Sequence, residues 1–163
     1  MKYLYEMNTE LNMTYLDKVT FMNHVKNFAK ENLGLTSDNT PYMLNLGMAS
    51  LGKAVSCIMA DGSEMMCFIS INEEQELYEM INTILHETKH LEQQIKQPLL
   101  CRVSFKIQRI LKKHNLWNRL TYNLAFHEID ARRYAKKMMK KYHKELNALI
   151  EKAYNNELDQ LFY

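Results

Sequence analysis

Apolar side chains recur at steps of three and four residues across residues 16–32, which is the periodicity of an amphipathic helix. Gly34 follows this segment and is expected to end the helix. Polar and turn-forming residues at 37–41 then predict a loop. We interpret residues 42–51 as a short strand.

Two segments of strand-like composition flank Asp61-Gly62, a dipeptide that favours two-residue hairpin turns because both central residues need a positive φ. We therefore expect an antiparallel hairpin in which the numbers of paired residues sum to 123. Cys57 then pairs with Met66, and Cys67 lies on the other face of the hairpin. No disulfide is expected between these two cysteines.

A long helix is expected between Asn72 and Pro98, over about residues 73–96. Asn72 is a good N-cap, and three glutamates follow in the first turn, where the helix dipole favours negative charge. Pro98 is expected to end this helix. One face forms a mostly apolar stripe of Leu77, Met80, Ile81, Ile84, Thr88, Leu91 and Ile95.

Three further helices are expected, over about residues 100–113, from about 117 to the mid-140s, and over about 147–161. The first of these is expected to turn four apolar residues inward, Val103, Ile107, Ile110 and Leu111. A helix, a small sheet and then four helices predict an α+β fold in a single domain.

Composition narrows the class of protein. Of the 163 residues, 47% are hydrophobic and 25% are charged, which excludes wholesale disorder. Four glycines and two prolines are too few for an all-β protein with many tight turns. The sequence contains no transmembrane-length apolar run, and acidic residues stand where a signal peptide is apolar. We expect a cytoplasmic protein with reduced cysteines and no membrane partner.

The charges are strongly segregated along the chain. Residues 101–144 contain 13 Lys and Arg against two acids, a net charge of +11, whereas the chain as a whole carries +2. Such a segment is typical of a nucleic-acid-binding face. A solvated helical face packed against the acidic half of the same fold explains it equally well, and we favour that explanation.

The expected long helix contains His86-Glu87-Thr88-Lys89-His90, an HExxH motif. Residues four apart lie on one face of a helix, so the two imidazoles can converge on one Zn²⁺. Glu87 is rotated to the side, where it can act as the general base toward a water whose pKa the zinc lowers. The alternative is an ordinary polar helix face.

A catalytic zinc needs a third protein ligand, and helical phase selects Glu128 among the candidates. Glu128 falls on the apolar stripe of its expected helix, whereas Asp130 lies about 200° and His127 about 100° round the axis. A carboxylate on such a stripe requires a cation, either a metal ion or a Lys or Arg. The stripe comprises Trp117, Leu120, Leu124, Ala131, Ala135 and Met138.

HETKH, followed after 37 residues by Glu-Ile-Asp-Ala-Arg-Arg-Tyr-Ala at 128–135, resembles the gluzincin metallopeptidases, and is most similar to compact intracellular zincins and small peptidases of mobile elements. The resemblance implies that His86, His90 and Glu128 bind zinc and that Glu87 is the base. Many relatives carry Asp or Asn at the position of Arg132, where it orients a ligand histidine. In this chain that role must fall on another residue or be absent.

The resemblance covers about residues 72–135, and the first helix and sheet agree with a minimal zincin only in their order. We expect one zincin-like domain over residues 1–163, with the first helix and sheet at about 15–72, the HExxH helix at about 73–96 and a helical C-terminal half at about 100–161. The expected activity is zinc-dependent hydrolysis of peptide or protein substrates, with strand residues 66–71 holding extended substrate by main-chain pairing. One alternative is a nucleic-acid-associated protein that uses the basic helices of residues 101–144. The other is a catalytically silent zincin relative that serves as an interaction module.

Overall fold

The computed structural model describes residues 15–35, 42–47, 53–58, 65–72, 75–114, 125–155 and 157–158 of the chain. Five helices lie within these ranges. They are α1 (Tyr15–Leu33), α2 (Leu77–Lys96), α3 (Pro98–Lys113), α4 (Phe126–Lys141) and α5 (His143–Tyr154). None of the described helices is both long enough and apolar enough to cross a membrane.

The helix that carries the HExxH motif begins later than its sequence predicts. Its N-cap is Glu76, and Asn72 is instead the last residue of a strand, so the predicted N-cap is wrong. At the other end the prediction is confirmed, since α2 stops at Lys96 and Pro98 is the first residue of α3. Proline fits there because the first helical position needs no backbone N–H.

Three short strands pair through their backbones in the order β1-β3-β2. They are β1 (Tyr42–Gly47), β2 (Lys53–Ile58) and β3 (Met65–Asn72). β2 and β3 are antiparallel with the expected register, in which Cys57 pairs with Met66 and Ser56 with Cys67. The turn at Asp61-Gly62 lies outside the described residues.

β3 pairs with β1 on one side and with β2 on the other. Its backbone hydrogen-bonding groups are therefore already used on both edges. The expectation that residues 66–71 hold an extended substrate by main-chain pairing is wrong, because a peptide can add only to a strand with a free edge.

The α+β class is also wrong, because the protein is predominantly helical. Where side chains are described, 86% of residues are helical, and only Ile71 and Asn72 come from a strand. The buried apolar cluster is also almost entirely helical, since Ile71 is the one residue described in it that comes from a strand. The sequence suggested a sheet layer because strand-like segments occupy much of residues 42–71, but the described core is formed by helix on helix.

The core is built where α1 and α4 pack on α2, and α5 packs in turn on α1 and α4. Met80, Ile81 and Ile84 of α2 are fully buried, as are Phe21 and Met22 of α1. Truncating such a residue to alanine typically costs about 2–5 kcal/mol of stability, so this cluster fixes the position of α2. On α4 the buried face carries small residues, Ala131 and Ala135, which allow close approach to α2.

α3 is oriented differently from the prediction. Of the four residues expected to face inward, Leu111 is half-buried but Val103, Ile107 and Ile110 are about half exposed. Cys101 is buried instead, and Ser104 and Gln108 are half-buried. The periodicity locates the apolar face of α3 correctly, but most of that face points away from the protein. The side of α3 that faces the protein carries Ser104 and Gln108, which contact the buried His127. The described part of the next helix begins only at Phe126, and Trp117, Leu120 and Leu124 lie outside the described residues.

Candidate metal centre

α2 places the two histidines of the motif one turn apart on the same face. The Nε2 atoms of His86 and His90 lie 3.1 Å from each other, with the two rings perpendicular. Both side chains are largely buried, with 17% and 12% of their surface exposed. The two potential ligand atoms therefore converge on one point that solvent reaches only partly.

α4 brings Glu128 to the same point from its first turn. Its Oε2 lies 3.4 Å from Nε2 of His86, and its Oε1 lies 3.5 Å from Nε2 of His90. These three residues form a group that could hold a metal ion. A tetrahedral site with zinc–ligand bonds of about 2.0–2.1 Å has neighbouring ligand atoms about 3.3–3.4 Å apart, which is close to the separations in this group.

Gln93 fixes the tautomer of His90. Its Nε2 donates to Oδ2 of Asp130 at 2.8 Å and to the backbone carbonyl of His127 at 3.2 Å. Since the amide nitrogen faces two acceptors, the amide oxygen must be the atom 3.0 Å from Nδ1 of His90. An oxygen can only accept, so Nδ1 carries the proton. In the neutral ring, Nε2 then presents a lone pair toward His86 and Glu128, as a metal ligand must.

Gln93 therefore makes to His90 the kind of contact that the resemblance expects from an Asp or Asn at the position of Arg132. Arg132 is exposed on α4, whereas Gln93 is 1% exposed and reaches across from α2 to α4. Its place three residues after His90 puts it on the same helix face as that ligand. Nothing in the sequence distinguishes Gln93 from the neighbouring Gln94, because the partners of Gln93 lie 34 and 37 residues further along the chain.

Burial and the surrounding carboxylates act in opposite directions on the pKa of His90. Burial lowers the pKa of His90, but Glu128, and then the charge of Glu87, raise that pKa by more, so the net shift is upward. Negative charge that favours an imidazolium also favours a metal cation at the same place. The site is thus arranged to hold positive charge.

Glu87 is buried, with 9% of its surface exposed, and its charge contributes to the raised pKa of His90. It does not belong to the three-residue ligand group. Because it follows His86 directly on the helix, it is rotated about 100° from that ligand. The structure therefore places a carboxylate beside the potential metal ligands but outside their set.

His127 also belongs to the site, although helical phase places it about 100° round the helix axis from Glu128. It is 9% exposed, and its Nε2 lies 3.6 Å from Oε1 of Glu128. Ser104 Oγ lies 2.7 Å from its Nδ1, and the amide nitrogen of Gln108 lies 2.9 Å from its Nε2. Ser104 and Gln108 therefore each lie within hydrogen-bonding distance of one ring nitrogen of His127.

Both ring nitrogens of His127 are therefore engaged by α3. Burial lowers the pKa of His127; Glu128 opposes this shift, and the charges of the neighbouring histidines and Arg132 add to it. The neutral ring forms a wall of the site beside Glu128. A signal for this contact exists in the sequence, since Ser104 and Gln108 are polar residues four apart on one face of an otherwise apolar and basic helix.

Asp130 lies outside the ligand group. Its side chain is 36% exposed, and its Oδ2 accepts from Gln93 and lies 3.4 Å from Nζ of Lys89. Lys89 in turn forms a 2.7 Å ion pair with Glu92. Asp130, which helical phase excluded as a ligand, therefore supports Gln93 from outside the ligand group, and Lys89 and Glu92 lie beside it.

No protein-family profile, curated protein sequence or solved structure matches the chain. Function is therefore inferred from the residues of the site and their geometry.

Proposed function

We propose that this protein is a zinc-dependent peptidase. The observation that carries the proposal is the convergence of His86, His90 and Glu128, whose nitrogen and oxygen atoms are separated by 3.1–3.5 Å. Two imidazoles and one carboxylate are a donor set typical of catalytic zinc, and three protein ligands leave a fourth position open. The orienting contact of Gln93 to His90 supports the same interpretation, because ligand histidines are commonly held through their other nitrogen.

A bound Zn²⁺ supplies Lewis acidity and lowers the pKa of a nearby water. His86, His90 and Glu128 would hold the ion, and Gln93 selects the neutral tautomer of His90 in which Nδ1 carries the proton and Nε2 has a lone pair to offer. Glu87, buried beside the ligands, takes the proton from the attacking water and transfers it to the leaving amine. The neutral ring of His127 limits access of bulk water on the Glu128 side.

The carbonyl of a peptide bond is the substrate group that suits this arrangement. A buried general base next to a Lewis acid favours attack on an uncharged carbonyl, and the same base returns its proton to nitrogen when the C–N bond breaks.

The test separates chemistry from metal binding. Zinc-loaded wild-type protein is incubated with a proteome-derived peptide library, and peptides that it cleaves are then offered to Glu87→Gln. We expect the variant to bind zinc as wild type does and to lose about two to four orders of magnitude in kcat. Glu79→Gln, an exposed glutamate on the same helix, is the matched control and should cleave at the wild-type rate.

Equal cleavage by wild type and Glu87→Gln contradicts the mechanism. A zinc-loaded wild-type protein that cleaves no peptide in the library contradicts the activity and favours the silent zincin relative.

A further inference from the structure

α3 exposes its apolar face. Leu99, Leu100, Val103, Ile107 and Ile110 are between 46% and 74% exposed. At 100° per residue these side chains fall within an arc of about 100° on the helix. Single exposed apolar residues are ordinary on a protein surface, but five on one stripe of one helix indicate an interaction surface.

The remaining sides of α3 are used differently. Cys101, Ser104 and Gln108 face the protein, and the last two hold His127. The third side is basic and contains no acid. It carries Arg102, Lys106, Arg109, Lys112 and Lys113, all of them exposed. Going round the helix, Lys106 and Lys113 border the apolar stripe directly.

The apolar surface continues onto α4. Phe126, the first residue of α4, is 56% exposed and lines the same shallow hollow as Leu100. A partly exposed aromatic ring beside the aliphatic stripe enlarges the apolar surface that is exposed to water.

The charge of α3 distinguishes between possible occupants. A second copy of the chain would bring five cations against five cations, which is repulsive. Nucleic acid would neutralise the cations but would leave the aliphatic stripe in water. A surface with anionic groups above an apolar layer satisfies both halves of the helix, and this is the chemistry of an anionic lipid bilayer.

We propose that α3 binds the surface of an anionic lipid bilayer, with its aliphatic stripe at the level of the acyl chains and its cations at the headgroups. A helix that lies in the interface does not need the length or uniform apolarity of a membrane-spanning segment. The expectation of no membrane partner rested on the lack of such a segment in the sequence, and this proposal replaces it. The inference is independent of the proposed peptidase activity, since none of the five exposed apolar side chains belongs to the metal centre.

The test is co-sedimentation of the full chain with vesicles of phosphatidylcholine alone and with vesicles in which a third of the lipid is phosphatidylglycerol. We expect binding to the anionic vesicles only, and weaker binding as salt is raised. Removing the two cations that border the stripe by Lys106→Ala with Lys113→Ala should weaken binding about fivefold per cation. Lys136→Ala with Lys137→Ala removes the same charge from α4 and should have a much smaller effect.

The apolar contribution has its own variant and control. Ile107→Gln with Ile110→Gln should weaken vesicle binding by at least tenfold, because it removes two aliphatic side chains from the stripe. Tyr78→Gln, which alters an exposed aromatic residue on α2, should bind as wild type does. Circular dichroism establishes that each variant retains its helix content.

Several outcomes overturn the proposal. They are equal binding to neutral and anionic vesicles, no binding to either, and equal losses from the α3 and α4 charge variants. Dimerisation in light scattering that Ile107→Gln abolishes would assign the stripe to a second copy of the chain. Vesicle binding unaffected by Ile107→Gln, together with tight salt-sensitive binding of duplex DNA, would assign α3 to nucleic acid.

Discussion

The amide oxygen of Gln93 lies 3.0 Å from Nδ1 of His90 and accepts a hydrogen bond from it. Through its nitrogen the same side chain binds the start of α4, where Glu128 is located. One buried glutamine therefore sets both the tautomer of a candidate ligand on α2 and the position of the helix that supplies the third ligand.

Replacing Gln93 should weaken zinc binding without removing a ligand. We expect Gln93→Leu to lower zinc affinity by about 10–100-fold, as is usual when the partner of a ligand histidine is lost. Gln93→Glu keeps an acceptor for Nδ1 and should bind zinc more tightly than Gln93→Leu does. Competition with a chromophoric chelator measures both, and Gln94→Leu is the neighbouring control. Wild-type affinity in Gln93→Leu would contradict the orienting role.

Glu128 and Asp130 should differ sharply as zinc ligands. Glu128→Gln removes the carboxylate that lies 3.4 Å and 3.5 Å from the two histidines, so its effect on zinc affinity should exceed that of Gln93→Leu. Asp130→Asn retains an acceptor for Gln93 and should change zinc affinity little. Isothermal titration of both variants checks the difference. Equal losses would mean that both carboxylates bind the metal.

The pKa values of His90 and His127 should be shifted in opposite directions from the usual value of about 6.5. Burial lowers the pKa of His90 but Glu128 raises it by more, whereas the pKa of His127 is lowered, chiefly by burial. In the metal-free protein, NMR should show His90 protonating at a higher pH than His127 does. In Glu128→Gln the pKa of His90 should fall.

These pKa shifts determine how the free energy of unfolding depends on pH. Since the folded pKa of His90 is raised, its contribution to the free energy of unfolding is complete below about pH 6.5 and is lost as pH rises through the folded value. Zinc and a proton compete for Nε2 of His90, so zinc affinity should fall as the pH falls through the folded pKa of this histidine. A His90 that titrates below His127 would contradict this account of the site.

The sequence predicted the candidate site best where a residue's role depends on which face of a single helix it occupies. The phase of α4 separated Glu128 from Asp130, and the structure brings Glu128, His86 and His90 together. The β2–β3 register followed from the position of one turn. The orientation of α3 could not be predicted, because periodicity reveals an apolar face without revealing what lies opposite. The contacts of Gln93 and His127 were also missed, since each depends on side chains from a different helix.

The close approach of α2 and α4 depends on small side chains. Ala135 is 1% exposed in the described core, so Ala135→Leu should overpack this interface and lower the free energy of unfolding by about 1–3 kcal/mol. Lys136→Leu alters the adjacent exposed position and should change it by less than about 0.5 kcal/mol. Urea unfolding of both variants measures the difference, and equal stabilities would show that the two helices do not pack tightly at Ala135.

The central claim is that His86, His90 and Glu128 form one zinc site. The most direct test is the zinc content and zinc affinity of untagged protein, measured for wild type, His86→Ala and His143→Ala. His143 is exposed on α5 and serves as the control. We predict one Zn²⁺ per chain in wild type and in His143→Ala, and loss of the ion in His86→Ala. No stoichiometric zinc in wild type, together with an unchanged zinc affinity in His86→Ala, would contradict the claim.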